Sequence, residues 1–104
     1  MKQIKLKDEN GKEYTLEYTK AIIIQMEKQG FNFDEIDKKP VLMVTMLVQG
    51  AFAKNHSSVK YEKIEKIFNA LKDKQGFLSK LKEMYEEHEN EMFDEGNSEW
   101  EANW

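Results

Sequence analysis

The sequence predicts an α+β fold that is mostly helical, with an N-terminal β-hairpin, about four helices and an acidic, irregular C-terminal tail. Three observations favour this fold class: apolar alternation around an Asn-Gly turn, longer stretches with helical spacing, and a polar, glycine-containing end. A length of 104 residues suits one domain. We therefore expect a single α+β domain over residues 1–93 and an acidic, tryptophan-containing tail over residues 94–104.

The register of the hairpin follows from where its apolar side chains must point. A two-residue turn at Asn10-Gly11 would put the apolar residues of the two strands on opposite faces. A three-residue loop, Glu9-Asn10-Gly11, with the glycine at positive φ, shifts the pairing by one residue. This shift moves every side chain of one strand to the other face of the sheet, so the apolar residues of both strands share a face. It predicts these apolar pairs: Leu6 with Tyr14 and Ile4 with Leu16. An isolated hairpin is marginal in water, so we expect it to pack on helices.

Two capping residues predict the first helix. Thr19 suits an N-cap and Gly30 suits the position just after the C-terminus, which gives a helix over about residues 20–29. The β-branched run Ile22-Ile23-Ile24 would also suit a buried strand, but a terminating glycine followed by an apolar residue favours the helix. The phenylalanines after this glycine are expected to turn back over the core.

The second helix is predicted to begin at Pro40, which fits a first helical position, and to continue to about Lys54. Apolar side chains surround it almost completely: Val41, Leu42, Met43, Val44, Met46, Leu47, Val48, Ala51 and Phe52. A helix that is apolar on every side lies at the centre of a fold. The alternative is that a partner protein covers one of its faces.

Two more helices are expected after a polar break. The segment Asn55-His56-Ser57-Ser58 can supply a cap for a third helix. The apolar stripe of that helix is Tyr61, Ile64, Ile67, Phe68 and Leu71. Lys74-Gln75-Gly76 predicts the next break, after which a fourth helix carries an apolar stripe from Phe77 to Met92. Like charges crowd its last turns, so we expect fraying beyond about Asn90.

The charges of the chain separate at Lys82. All sixteen basic residues are lysines and none lies further on, so sixteen lysines and eleven acids give residues 1–82 a net charge near +5. Residues 83–104 carry nine acids and both tryptophans, Trp100 and Trp104. Such asymmetry is typical of a folded body with a charged end that meets a partner or shields the body.

No group of residues predicts a reaction or a cofactor. The absence of cysteine excludes disulfides, thiolate metal ligands and cysteine nucleophiles. His56 and His88 lie far apart in the sequence, so we expect solvated histidines and no metal site. The serines lack a nucleophile elbow and the glycines are isolated, which gives no phosphate-binding loop. We therefore expect a protein that is not an enzyme and needs no cofactor.

Nucleic acid and membrane are not expected partners. Lysines dispersed among acids, without arginine, are typical of solvated helix faces rather than of a phosphate-binding stripe. No apolar run approaches the ~18–20 residues that span a bilayer, and the N-terminus lacks the apolar stretch of a signal peptide. These observations favour a soluble, cytoplasmic protein.

Methionines and aromatic residues indicate where a partner would bind. Such apolar stripes are most often plain core, and the sharper hypothesis is an adaptable, methionine-rich groove that grips an apolar helix. The residues expected to grip it are Leu42, Met43, Met46, Leu47, Phe52, Met84 and Tyr85. Trp100 and Trp104 are costly to leave exposed, and under this hypothesis they dock on the lysine-rich body.

Several segments carry a resemblance to a known family: Tyr14-Thr15-Leu16-Glu17-Tyr18-Thr19, Met26-Glu27-Lys28-Gln29-Gly30-Phe31, Pro40, Gly50-Ala51-Phe52-Ala53-Lys54-Asn55-His56 and Leu81-Lys82-Glu83-Met84-Tyr85. In this order they resemble the small tail assembly chaperones encoded by tailed phages and prophages of Gram-positive bacteria. The resemblance is one of element order and scattered residues, and it spans about residues 3–93. The acidic, tryptophan-ended tail is a departure from that family.

The resemblance implies a non-enzymatic protein of the bacterial cytoplasm that is absent from the mature virion. Such chaperones bind the long, helical tape measure protein, keep it soluble and help bring the tail tube protein to it. Two alternatives stay open. One is a structural phage protein, such as a tail completion or head–tail connector subunit, and the other is a small host-directed inhibitor or regulator. The oligomeric state does not follow from the sequence.

Overall fold

The computed structural model describes residues 2–104 and has the predicted α+β fold. Its elements in chain order are β1 (Ile4–Lys7), β2 (Glu13–Leu16), α1 (Lys20–Lys28), α2 (Pro40–Ala53), α3 (Tyr61–Asn69) and α4 (Lys74–Glu91). A single 3-10 turn, Phe33–Glu35, lies between α1 and α2. No helix between residues 2 and 104 combines the length and the apolar character that crossing a membrane requires.

The hairpin has the predicted register. Its apolar cross-strand pairs are Ile4 with Leu16 and Leu6 with Tyr14. The loop closes with a 2.9 Å hydrogen bond from the Asp8 backbone N–H to the Lys12 carbonyl, and Gly11 has φ +83°. The apolar side chains of both strands therefore lie on one face of the sheet, and three of the four are buried.

Both predicted caps of α1 are present. The Thr19 hydroxyl accepts a hydrogen bond from the Ile22 N–H at 3.1 Å, and Gly30 follows the helix with φ +99°. The isoleucine run is therefore helical rather than extended. Beyond it, Phe31 and Phe33 fold back as predicted and meet edge to face, with ring centroids 4.9 Å apart.

The central helix is α2, which contacts β2, α1, α3 and α4. Its buried residues are Met43, Leu47, Val48, Gly50, Ala51 and Phe52. The first turn, by contrast, projects from the core, because 81% of Val41 and 52% of Leu42 remain exposed. The helix is therefore covered along most of its length and uncovered where it begins.

The predicted cap of α3 and the predicted break before α4 are wrong. The N-cap of α3 is Lys60, which lies beyond the polar segment and makes no side-chain cap bond, while Asn55 and His56 of that segment bind β2. The N-cap of α4 is Asp73, at φ +49°, whose carboxylate accepts the Gly76 N–H at 3.1 Å. This cap satisfies a free N–H of the first turn and starts the helix at Lys74, where a break was expected.

The core lies entirely within the part of the chain that ends with α4. Every side chain that the structure buries lies between Leu6 and Tyr85. The longest dimension of the molecule is 59 Å and its radius of gyration is 16.0 Å, whereas a compact chain of this length has a radius of about 13 Å. We call residues 2–91 the body and residues 92–104 the tail, which extends from the body without helix or strand.

Candidate functional site

Five of the seven predicted partner-binding residues lie in the core. Each is at most 3% exposed: Met43, Leu47, Phe52, Met84 and Tyr85. The reason is the central position of α2, which packs against α4 as well as against the hairpin and the other helices. These five side chains hold the fold together and do not form a surface that a partner can reach in this structure.

Tyr85 shows how tightly this part of the core is closed. Its hydroxyl donates a 2.6 Å hydrogen bond to Glu27 Oε2 and so links α4 to α1. The rings of Tyr18 and Phe33 meet it edge to face, with centroid distances of 5.6 and 4.8 Å. Burial, and then the bond to Glu27, raise the pKa of Tyr85 well above that of a free tyrosine. Its role is packing and hydrogen bonding.

The other two predicted residues, Leu42 and Met46, are accessible. Leu42 is 52% exposed at the start of α2. Met46 is half-buried and lines a cavity of about 330 Å³ between α1, α2 and the beginning of α3. Met26 lies in the wall of the same cavity. The methionine lining expected from the sequence is therefore limited to a small recess.

A larger groove runs between α2 and α3 and has a volume of about 600 Å³. Its apolar lining is Pro40, Val41, Val44, Val48, Ile64 and Phe68. Its polar lining is Thr45, Gln49, Glu65 and Asn69. We call this recess the α2–α3 groove. It combines an apolar wall from two helices with polar groups that can fix the orientation of a bound chain.

The sequence did not single out this groove. Nothing in the composition of α2 separates Val41 and Val44 from the buried residues around them. The available signal is position, because Val41 follows Pro40 in the first turn, where a helix that enters a core has not yet met its neighbours. On α3, Phe68 lies in the predicted apolar stripe and is half-buried.

Both histidines bind the backbone, which corrects the expectation of solvated side chains. His56 Nε2 accepts the Thr15 N–H at 3.0 Å, and His88 Nε2 donates to the Tyr18 carbonyl at 2.9 Å. The His56 ring also meets the Tyr14 ring edge to face at 5.0 Å. Across residues 2–104, no three acidic or histidine side chains are grouped so as to hold a metal ion.

Glu17 is a buried carboxylate that the sequence analysis did not identify. It is 2% exposed and accepts hydrogen bonds from Lys54 Nζ at 2.8 Å, Asn55 Nδ2 at 2.9 Å and Gln3 Nε2 at 2.9 Å. The bond from Lys54, and then that from Asn55, hold the pKa of Glu17 below its ordinary value. This network ties the end of α2 to the hairpin.

The tail carries four exposed large apolar side chains. The exposed fractions are 62% for Met92, 87% for Phe93 and 86% for Trp100, and Trp104 is fully exposed. The structure therefore does not show the predicted docking of the two tryptophans on the body. Tryptophan gains much from burial, so the tail is a candidate interaction segment.

The fold and its recesses define a small α+β domain with apolar grooves on its surface and an extended acidic tail. The chain belongs to the family described as a domain of unknown function, DUF5055, whose model matches residues 1–104. No curated protein and no solved structure matches the chain significantly.

Proposed function

We propose that the protein is a non-enzymatic assembly chaperone of a tailed phage or prophage, which holds an amphipathic helix of the tape measure protein in the α2–α3 groove. The observation that carries the proposal is the apolar groove at the uncovered start of α2, where Val41 is 81% exposed. Apolar side chains exposed beside a groove are typical of partner-binding surfaces.

The shape of the groove favours a helical partner. Val44 and Val48 lie one turn apart on α2, and Ile64 and Phe68 lie one turn apart on α3. Rows of side chains four residues apart form ridges, and a third helix packs its own ridges between them. A bound helix would place apolar residues at i, i+3, i+4 and i+7 against this wall.

The client follows from the resemblance to small tail assembly chaperones. Tape measure proteins are long and helical, so they present apolar helix faces before the tail tube protein surrounds them. Under this proposal the chaperone works in the bacterial cytoplasm, needs no cofactor and is absent from the mature virion. The nine acids of residues 83–104, which outweigh the net positive charge of residues 1–82, help to keep the complex soluble.

Co-expression with the tape measure protein tests the proposal. The native chain should raise the soluble fraction of that protein and elute with it on a sizing column. Val41→Glu should abolish both effects, because it puts a charge into the apolar groove. Ile24→Glu is the matched control, since Ile24 is 44% exposed on α1 and lies outside the groove.

Two results would contradict the chaperone proposal. The first is a tape measure protein whose solubility does not change with the native chain. The second is an equal effect of the two glutamate substitutions, which would exclude the α2–α3 groove as the binding site. The protein's presence in purified virions at fixed stoichiometry would favour a structural subunit. A gene placed beside early regulators, away from the tail tube and tape measure genes, would favour a host-directed inhibitor.

A further inference from the structure

The outer edge of β1 has backbone groups that bind nothing else in the fold. In an antiparallel ladder, cross-strand pairs alternate between bonded and non-bonded pairs. The bond from the Asp8 N–H to the Lys12 carbonyl sets the phase, so the even-numbered residues of β1 bond to β2. The N–H and C=O groups of Lys5 and Lys7 then point to the outer edge. Within residues 2–104 they make no hydrogen bond.

A groove runs along this edge between β1, α3 and the start of α4, with a volume of about 560 Å³. Its apolar lining includes Ile4, Ile67, Leu71 and Phe77. Lysines surround it: Lys5, Lys7, Lys63, Lys66 and Lys72. Asp8 and Glu9 are the acids in the same lining. We call this recess the edge groove, and its charge is net positive.

β1 alternates in a way that an added strand must match. Ile4 and Leu6 face the core side of the hairpin, and Lys5 and Lys7 face the outside. A strand added at the edge continues both faces of the sheet. The complementary strand therefore has apolar residues at every second position and acidic residues between them.

The tail has this alternation. At a spacing of two, Trp100, Ala102 and Trp104 fall on one face of an extended chain, and Glu99 and Glu101 fall on the other. The exposed indoles then have an apolar floor to cover, and the two glutamates have lysines beside them. The tail therefore matches the edge groove in its backbone hydrogen-bonding groups, its apolar side chains and its charge.

We propose that the edge groove binds the tail of a second copy of this chain as a third strand of the sheet. The tail backbone bonds to Lys5 and Lys7, its tryptophans cover the floor near Ile67 and Phe77, and its glutamates lie next to the outward lysines. Such strand addition is a general mode of peptide recognition. A second copy is the donor because each chain extends its own tail from the body and leaves its own edge groove open.

The area that this exchange buries suits a stable dimer. Two copies that donate tails to each other form a closed, twofold interface. Each buried indole removes roughly 200 Å² from water, so four indoles and the surface that covers them come to roughly 1,600 Å². That is the size of a standard specific interface. It lies apart from the α2–α3 groove, so the dimer does not depend on the proposed function.

The test uses the full chain in analytical ultracentrifugation, with tryptophan emission measured in the same samples. We expect a dimer, with emission blue-shifted because the only tryptophans are in the tail. Lys5→Glu with Lys7→Glu should raise the dimer dissociation constant by about tenfold or more, which corresponds to about 1.4 kcal/mol. Lys20→Glu with Lys28→Glu, an equal charge change on exposed residues of α1, is the matched control and should leave the dimer intact.

A charge exchange keeps the test decisive if the β1 variant is unstable. Glu99→Lys with Glu101→Lys lies in the exposed tail and cannot disturb the core. This tail variant should lose its homodimer and form a heterodimer with the Lys5→Glu, Lys7→Glu chain. The proposal is overturned by a monomer with blue-shifted emission, which means docking within one chain. It is equally overturned by a monomer with the emission of exposed indoles, or by a dimer that neither pair of substitutions weakens.

Discussion

The two outer edges of the hairpin carry the same kind of backbone groups, but the rest of the body covers only one of them. On the β2 side, His56 accepts the Thr15 N–H at 3.0 Å and Asn55 donates to the Thr15 carbonyl at 3.1 Å. Further along, the Glu17 N–H donates to the Ala51 carbonyl at 3.1 Å. The polar segment after α2 thus serves as the cover of a sheet edge.

On the β1 side, lysines take the place of such a cover. Lys5 and Lys7 give the open edge a positive charge, a common means by which proteins discourage uncontrolled strand pairing. The positive charge on β1 discourages pairing with strands that are positively charged or neutral. A covering segment, by contrast, prevents any strand from pairing at that edge. This hairpin therefore has one edge that the rest of the fold covers and one open edge whose lysines favour acidic strands.

The largest expected difference lies in the side chains beneath the two edges. Phe52 is 1% exposed under the β2 side, while Phe77 is half-buried in the edge groove. Phe52→Ala should lower the free energy of unfolding by about 3–5 kcal/mol and Phe77→Ala by about 1–2 kcal/mol. Urea unfolding followed by far-UV circular dichroism measures both. Equal losses would show that the two sides are equally packed.

Removal of the cation from the buried network should have the next largest effect. In Lys54→Met, Glu17 keeps its burial but loses its one charged partner, which should cost about 2–3 kcal/mol of unfolding free energy. Lys60→Met is a matched control on an exposed lysine and should change stability by less than about 0.5 kcal/mol. If the two variants unfold at the same urea concentration, the ion pair does not support the β2 edge.

Proline substitutions test the two edges most directly. Thr15→Pro removes the N–H that His56 accepts and should lower the unfolding free energy by about 2 kcal/mol. Lys5→Pro removes an N–H that has no partner within its own chain, so at a dilution where the protein is monomeric it should cost less than about 1 kcal/mol. Thermal unfolding of both variants gives the comparison. A larger loss for Lys5→Pro would mean that the β1 edge is also held by the fold.

The smallest effect concerns pH. Because its bonds hold the pKa of Glu17 below the value of an unfolded chain, its ionised form stabilises the fold above about pH 4.3. That contribution is lost as the pH falls through the folded-state pKa. Stability measured from pH 7 to pH 2 should therefore show the native chain losing its advantage over Glu17→Gln at acid pH. A difference that stays constant with pH would contradict this account.

Local signals in the sequence were sufficient for the hairpin and for α1. Alternation in both strands leaves one register that puts the apolar residues on one face, and Thr19 and Gly30 mark helix ends through bonds to nearby residues. The start of α4 was missed because Asp73 adopts a left-handed conformation that favours glycine, so a cap was not expected there.

The candidate sites depended on contacts between distant residues. Five apolar residues of the predicted gripping surface are buried because α4 and the hairpin both pack on α2, and no spacing within α2 shows which of its faces stays open. The burial of Glu17 likewise depends on Lys54 and Asn55, more than 35 positions further along the chain. The apolar and polar alternation around Glu17 identifies it as a polar residue and does not predict that it is buried.

The confinement of every buried side chain to residues 6–85 has an evolutionary consequence. Substitutions in the tail have no core contact to lose, so selection on the tail acts through what it binds rather than through folding. Substitutions in the body are constrained both by folding and by binding. The self-association of this protein can therefore change through residues 92–104 while the domain that carries them stays the same.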